Sequence, residues 1–69
     1  MRALVYRAGG SDKFWRAAVR GAELTVSYGR TGSTGQTLVK AFDSAERAVR
    51  EMEKLVAEKL RKGYVEAAS

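Results

Sequence analysis

The chain has 69 residues, with 13 lysines and arginines against 8 acidic side chains, and contains neither cysteine nor histidine. A chain of this length forms one domain with a thin core that can hardly enclose a substrate. The missing residue types exclude disulfides, thiolate or imidazole metal sites and the usual pairs of nucleophile and base, so we predict a non-catalytic protein without cofactor, metal or small-molecule substrate.

The N-terminal apolar run, residues 3–6, is too short for a secretory signal, and no stretch approaches the ~18 apolar residues of a membrane span. The absence of cysteine is compatible with a reducing compartment. These patterns predict a cytoplasmic protein that has no membrane partner.

The positive charge is unevenly distributed along the chain. Residues 1–42 carry seven basic and two acidic side chains, whereas residues 43–69 carry six of each. Excess charge in one part of a chain favours a polyanionic partner, although a charge of this size also serves solubility.

Two short strands are predicted first. Residues 2–7 and residues 13–20 alternate with period two, and the cluster at residues 8–12 is a turn between them. One side of the second strand is apolar, and we place Trp15 on that side in the core. The other side is basic and comprises Phe14, Arg16, Ala18 and Arg20.

Two more strands and a long polar loop follow. Gly21-Ala22 suits a two-residue hairpin turn, after which residues 23–28 alternate as a third strand. Residues 29–35 form a glycine-rich loop. Residues 36–42 form a fourth strand, in which the adjacent Leu38 and Val39 indicate a bulge or burial on both faces. The strands therefore form an antiparallel meander.

An amphipathic helix is predicted after residue 42. Asp43 and Glu46 have the spacing of a capping box, and Gly63 is the expected stop. The apolar stripe between them comprises Ala45, Ala48, Val49, Met52, Leu55, Val56 and Leu60. We predict an α+β fold with a four-stranded antiparallel sheet and one C-terminal helix packed on one face. The single domain spans residues 1–66, and residues 67–69 are a frayed tail.

The segment Tyr28–Thr37 carries the candidate chemistry, with three glycines, four Ser or Thr hydroxyls and one arginine beside an aromatic ring. Such a loop suits phosphate binding. Tyr28 is either a stacking platform for a nucleotide or a half-buried ring at the end of the core. Arg30 contacts a phosphate or a partner, or it is a solvated guanidinium that packs over Tyr28. A Walker-type phosphate loop is excluded because its lysine is missing and the run leads into a strand.

The basic side of the sheet is a second candidate surface. If the helix covers the Trp15 side, the opposite side is free, and we predict that the Tyr28-Gly29-Arg30 loop lies at its edge. The patch would comprise Arg7, Arg16, Arg20 and Lys40. The alternative is an ordinary charged surface that keeps a small protein soluble.

Taken in order, these residues resemble the WGR domain, which occurs in DNA-dependent poly(ADP-ribose) polymerases and as small stand-alone bacterial proteins. The resemblance covers residues 13–65 and depends on Lys13-Phe14-Trp15, Tyr28-Gly29-Arg30 with Thr31-Gly32, Gly35-Gln36-Thr37, Phe42 with Asp43-Ser44, Lys54-Leu55, Lys59 and Gly63-Tyr64. It implies an antiparallel sheet with one helix, and DNA binding near a strand break. Tyr28, which stands in place of the family tryptophan, would stack on the DNA. Gly29 would allow close backbone approach, and Arg30 would make a polar contact to DNA or to a neighbouring domain.

The sequence thus predicts a nucleic-acid-binding module that recognises breaks or ends of DNA, in preference to RNA, through its Tyr-Gly-Arg loop and basic sheet face. The predicted binding residues are Tyr28, Gly29, Arg30, Arg16, Arg20, Lys40 and Arg7. The alternative is a protein-interaction or self-association module that uses the same loop and face, with Arg30 contacting another protein domain.

Overall fold

The computed structural model describes residues 1–67 as a sheet of five strands with one helix. The elements are β1 (Arg2–Ala8), β2 (Ser11–Arg20), β3 (Glu23–Arg30), β4 (Gln36–Ala41), α1 (Ala45–Arg61) and β5 (Val65–Glu66). Neighbouring strands pair antiparallel in the order β4-β3-β2-β1-β5. The predicted α+β architecture is confirmed, but the sheet has five strands instead of the expected four.

The additional strand β5 follows the helix and pairs with β1. The guanidinium of Arg2 holds this edge together, since it donates to Glu66 at 3.0 Å and to Glu53 on α1 at 2.9 Å. Both hydrogen bonds raise the pKa of the Arg2 guanidinium, and the bond to Glu66 has the larger effect. The backbone N–H of Ala67, in the predicted tail, donates to the Ala3 carbonyl at 2.8 Å, and residues 68 and 69 lie outside the described part of the chain. A two-residue strand has no periodicity that the sequence could reveal.

β2 and β3 each extend two residues beyond their predicted limits. Gly9 and Gly10 both have positive φ, as a type I′ turn requires, so β2 already begins at Ser11. The β2–β3 register is continuous from Arg20 opposite Glu23 to Lys13 opposite Arg30. β3 therefore includes Arg30, two residues beyond its predicted end.

The predicted irregularity at Leu38 and Val39 is wrong. β4 pairs with β3 without a bulge from Ala41 to Gln36, and the two side chains are 53% and 59% exposed. The helix packs against β2 and β3 and leaves the edge strand uncovered. For this reason apolar residues on both faces of β4 do not mean that both faces are buried.

The ends of α1 are defined by a serine cap and a glycine. Ser44, and not the predicted Asp43, is the N-cap, because its hydroxyl oxygen accepts from the Arg47 N–H at 3.1 Å. At the other end Gly63 has φ of 105°, its N–H donates to the Leu60 carbonyl, and the next N–H donates to the Lys59 carbonyl. This is a Schellman motif, so the predicted stop at Gly63 is confirmed.

The core lies between α1 and the central strands. Trp15, 4% exposed, is part of it, as predicted. The other buried residues are Leu4, Ala17, Leu24, Val26, Ala48, Met52 and Val56. We call the sheet surface under α1 the helix-side face and the opposite surface the open face. Within residues 1–67 no helix is long and apolar enough to cross a membrane.

Candidate nucleic-acid interface

A cleft of about 400 Å³ opens on the helix-side face, where β2 begins, β3 ends and α1 reaches its C-terminus. Its walls include Lys13, Trp15, Tyr28, Arg30, Lys59 and Tyr64. We call it the terminal cleft. Its volume lies within the range of sites that hold small ligands, roughly 300–1,000 Å³, so it has room for a nucleotide-sized group.

The strand register places Tyr28 and Arg30 in this cleft. Tyr28 lies opposite Trp15 and Arg30 lies opposite Lys13, so all four side chains share the helix-side face. Tyr28 is half-buried against the core, and its hydroxyl donates to the Gln36 side-chain oxygen at 3.1 Å. The ring therefore closes the end of the core and also lines the cleft.

Three cations surround the terminal cleft. Arg30 is exposed, and no ion pair within residues 1–67 engages it. The ammonium of Lys13 lies 5.7 Å from the centre of the Tyr6 ring, and that of Lys59 lies 5.5 Å from the centre of the Tyr64 ring. The two rings are in tilted contact, with centroids 5.3 Å apart. Aromatic rings thus support both lysines at the cleft rim, at cation–π distances.

Asp12 is the acidic residue that lines the cleft, and its carboxylate has partners elsewhere. It accepts from the Thr31 hydroxyl at 2.7 Å and lies 3.6 Å from the Arg7 guanidinium. The Thr31 N–H also donates to the Asp12 carbonyl at 2.9 Å, which fixes the start of the glycine-rich loop on β2. The lining of the cleft therefore contains three cations and one carboxylate, so its net charge is positive.

Two glycines let the loop after β3 fold tightly back onto the sheet. A Cβ on Gly29 would lie 2.8 Å from the Gly35 Cα. Gly35 has φ of 71°, and a Cβ there would overlap the Tyr28 carbonyl oxygen and lie 2.7 Å from the Phe14 ring. The close contact at Gly29 is thus with the backbone of Gly35 in the same chain. Close approach of Gly29 to nucleic acid stays a prediction.

The expectation of one cationic surface is wrong. Alternation in β1 and β2 places Arg7, Arg16 and Arg20 on the open face, where Arg16 stacks over the Phe14 ring at 4.8 Å. Lys40 lies opposite the buried Leu24 and so belongs to the helix-side face, at the edge of the sheet. The predicted binding residues therefore divide into three places: the terminal cleft, the open face and the β4 edge.

Sequence reasoning predicts no binding role for three residues that line the cleft, namely Lys13, Lys59 and Tyr64. Two signals point to the lysines. Lys13 is a charged residue in the same alternating row as Trp15, and Lys59 follows Val56 at the spacing of the apolar stripe. A lysine at a position where the pattern expects an apolar residue indicates that this end of the strand or helix extends beyond the core to the surface.

Comparisons with known proteins agree with this fold. The family model for the WGR domain matches residues 2–69. Among Escherichia coli K12 proteins, Protein YehF is 43% identical over 68 residues and the uncharacterized protein YfeS is 42% identical over 62 residues, which cover 99% and 90% of this chain. The chain spans only 25% of the length of each. A crystal structure of a Bacteroides fragilis protein is similar with a TM-score of 0.93 and 48% identity, over 97% of this chain and 19% of the other.

Proposed function

This chain belongs to the WGR domain family, and we propose that it is a non-catalytic module that binds DNA at strand breaks or ends through the terminal cleft. WGR domains of poly(ADP-ribose) polymerases bind nucleic acid. The observation that carries the proposal is that Lys13, Arg30 and Lys59 surround a concave site that Tyr28 also lines.

The chemistry of the cleft suits the end of a strand. Arg30 offers a planar fork of donors to a phosphate, and the two lysines offer point charges. Tyr28 offers a ring edge or face to an unstacked base, a contact worth about 1–3 kcal/mol in single-strand binders. A continuous duplex keeps its bases stacked, whereas a nick or an end supplies a sugar and base that can enter a concave site. We therefore expect preference for breaks over intact duplex.

The remaining predicted residues have a secondary role in this proposal. Arg7, Arg16 and Arg20 lie on the open face and Lys40 lies at the sheet edge, away from the cleft. Their charges attract a polyanion at long range and are screened by salt.

A charge-matched pair of variants tests the proposal. One variant, the cleft variant, carries Lys13→Gln, Arg30→Gln and Lys59→Gln in the terminal cleft. The other, the open-face variant, carries Arg16→Gln and Arg20→Gln on the open face together with Lys40→Gln at the sheet edge. Both have the same net charge, so a difference between them reports position and not charge. Fluorescence anisotropy titrations at two salt concentrations compare 5′-phosphorylated nicked duplex, intact duplex and single-stranded RNA, and circular dichroism checks that both variants fold.

We expect the cleft variant to bind nicked DNA at least about tenfold more weakly than the parent. The slope of the logarithm of its binding constant against the logarithm of the salt concentration should become shallower by about 2 to 3, because each duplex phosphate that is no longer neutralised contributes about 0.9. The open-face variant should stay within about threefold of the parent at the higher salt concentration. Equal weakening in the two variants would contradict the assignment to the cleft. Negligible binding of the parent to both nicked and intact duplex would contradict the proposed DNA-binding function. Tighter binding to single-stranded RNA than to nicked DNA would identify RNA as the ligand.

A protein-interaction function of the same loop is the second candidate, because Arg30 has no ion pair within residues 1–67 and is free to meet a carboxylate of another domain. Tyr28→Ala and Arg30→Ala separate the two functions. Loss of DNA binding with an unchanged oligomeric state supports the nucleic-acid function, and the reverse result supports the protein-interaction function.

A further inference from the structure

The two edges of the sheet differ in a way that bears on self-association. β5 forms one edge and has only two residues. β4 forms the other edge, has six residues that are all exposed, and contains no proline, glycine or bulge. Proteins usually protect edge strands by shortness, bulges, proline or charge, and of these β4 has a single lysine. It is therefore the edge at which a further strand can pair.

The hydrogen-bonding groups that β4 presents to solvent follow from its register. Phe42 donates its N–H to the Ala22 carbonyl at 2.8 Å, in continuation of the β3–β4 ladder. In an antiparallel ladder successive residues direct their backbone groups to opposite sides. Gln36, Leu38 and Lys40 therefore direct theirs towards β3. The outward donors and acceptors belong to Thr37, Val39 and Ala41.

These outward groups are symmetric about Val39, and we propose that β4 pairs antiparallel with β4 of a second copy of this chain around a two-fold axis at Val39. In that register Thr37 of one copy faces Ala41 of the other and Val39 faces itself, so all the outward groups find partners. The two sheets join into one, with both helices on the same side. The proposal does not depend on the function of the terminal cleft.

The side chains of β4 are self-complementary in the same register. Val39 packs against its own copy on the open face, and Leu38 packs against the aliphatic stem of Lys40 on the helix-side face. No two like charges lie directly opposite each other. Leu38 and Val39 are 53% and 59% exposed in the single chain, so pairing removes apolar surface of both from water. One strand pair is a small interface, and we expect a dissociation constant of about 10 μM to about 1 mM.

Sedimentation equilibrium and amide exchange measured at increasing protein concentration test the pairing. At about 1 mM we expect the weight-average mass to lie between about 1.5 and about 2 times that of one chain. We also expect the amides of Thr37, Val39 and Ala41 to exchange about twofold to fifteenfold more slowly there, while those of Leu38 and Lys40, already bonded to β3, change little. A monomeric mass and unchanged exchange at Val39 over this range would overturn self-pairing and leave the edge to a strand of different sequence.

Two charge variants give the pairing a matched control. Val39→Lys places two ammonium groups opposite each other across the axis and should weaken the dimer by at least about tenfold. Thr25→Lys adds the same charge to the same face, on the β3 residue paired with Val39, one strand away from the edge. It should leave the dimer within about threefold of the parent. Equal weakening by both changes would indicate general charge repulsion and would also overturn the proposal.

Discussion

Substitution of Gly35 by alanine tests whether the loop after β3 depends on two close internal contacts. Gly35 has φ of 71°, in the left-handed region, and an added Cβ would overlap the Tyr28 carbonyl and lie 2.7 Å from the Phe14 ring. Gly32, three residues earlier in the same loop, has φ of 94° but nothing within 4 Å of an added Cβ. The two positions share the backbone penalty, and only Gly35 adds a steric one.

The expected destabilisation at each position follows from these two penalties. A non-glycine residue in the left-handed region costs about 1–2 kcal/mol, and overpacking against fixed neighbours costs about 1–3 kcal/mol more. Gly35→Ala should therefore lower the free energy of unfolding by about 2–5 kcal/mol and Gly32→Ala by about 1–2 kcal/mol. Since 1 kcal/mol shifts the Tm of a domain of this size by about 4–8 °C, the Tm should fall by about 8–40 °C for Gly35→Ala and by about 4–16 °C for Gly32→Ala. The smaller unfolded-state entropy of alanine acts equally on both variants and cancels in the comparison.

Thermal and urea unfolding followed by circular dichroism measure both variants beside the parent. The m-value should stay the same, because the surface exposed on unfolding does not change. Equal destabilisation by Gly35→Ala and Gly32→Ala would refute the argument that the loop packs tightly on Tyr28 and Phe14.

Two further predictions concern single side chains. Tyr28→Phe removes only the hydrogen bond to Gln36 and should bind nicked DNA within about threefold of the parent. Tyr28→Ala removes the ring and should weaken binding by about 1–3 kcal/mol. Both are measured by anisotropy titration, and unchanged binding by Tyr28→Ala would mean that the ring only packs on the core. Ser44→Ala removes the N-cap and should lower the free energy of unfolding, measured with urea, by about 1 kcal/mol. Asp43→Ala should lower it by less than about 0.5 kcal/mol. The reverse order would indicate that Asp43 is the cap.

The sequence predicts the regular elements well and the faces of the sheet only in part. The alternating pattern around Trp15 identifies the core side of β2, and Gly63 identifies the end of α1, because each signal is local. The face of Arg30 is missed because Gly29 resembles the start of a loop, although β3 continues through it and alternation then decides the face. Lys40 is missed for another reason. Leu38 and Val39 are both apolar, so periodicity cannot say which parity of β4 faces the helix.

The cleft itself depends on distances that no periodicity contains. Lys13, Arg30 and Lys59 come from the start of β2, the end of β3 and the last turns of α1. Only the register of the hairpins and the length of the helix bring them to one place. The Schellman motif adds Tyr64, because it turns the chain back towards β1, where the Tyr64 ring meets Tyr6.

The position of α1 also shows why charge counted by segment misleads. Residues 43–69 are neutral as a whole, yet the helix has Glu46 in its first turn and Lys59 and Arg61 in its last. This order complements the helix macrodipole, so ordinary helix stability already favours it. It also delivers Lys59 to the terminal cleft. The segment that appears neutral in the sequence therefore supplies part of the positive potential at the proposed DNA site, whereas on the open face Asp12 and Glu23 lie opposite Arg7 and Arg20 and offset much of the positive charge there.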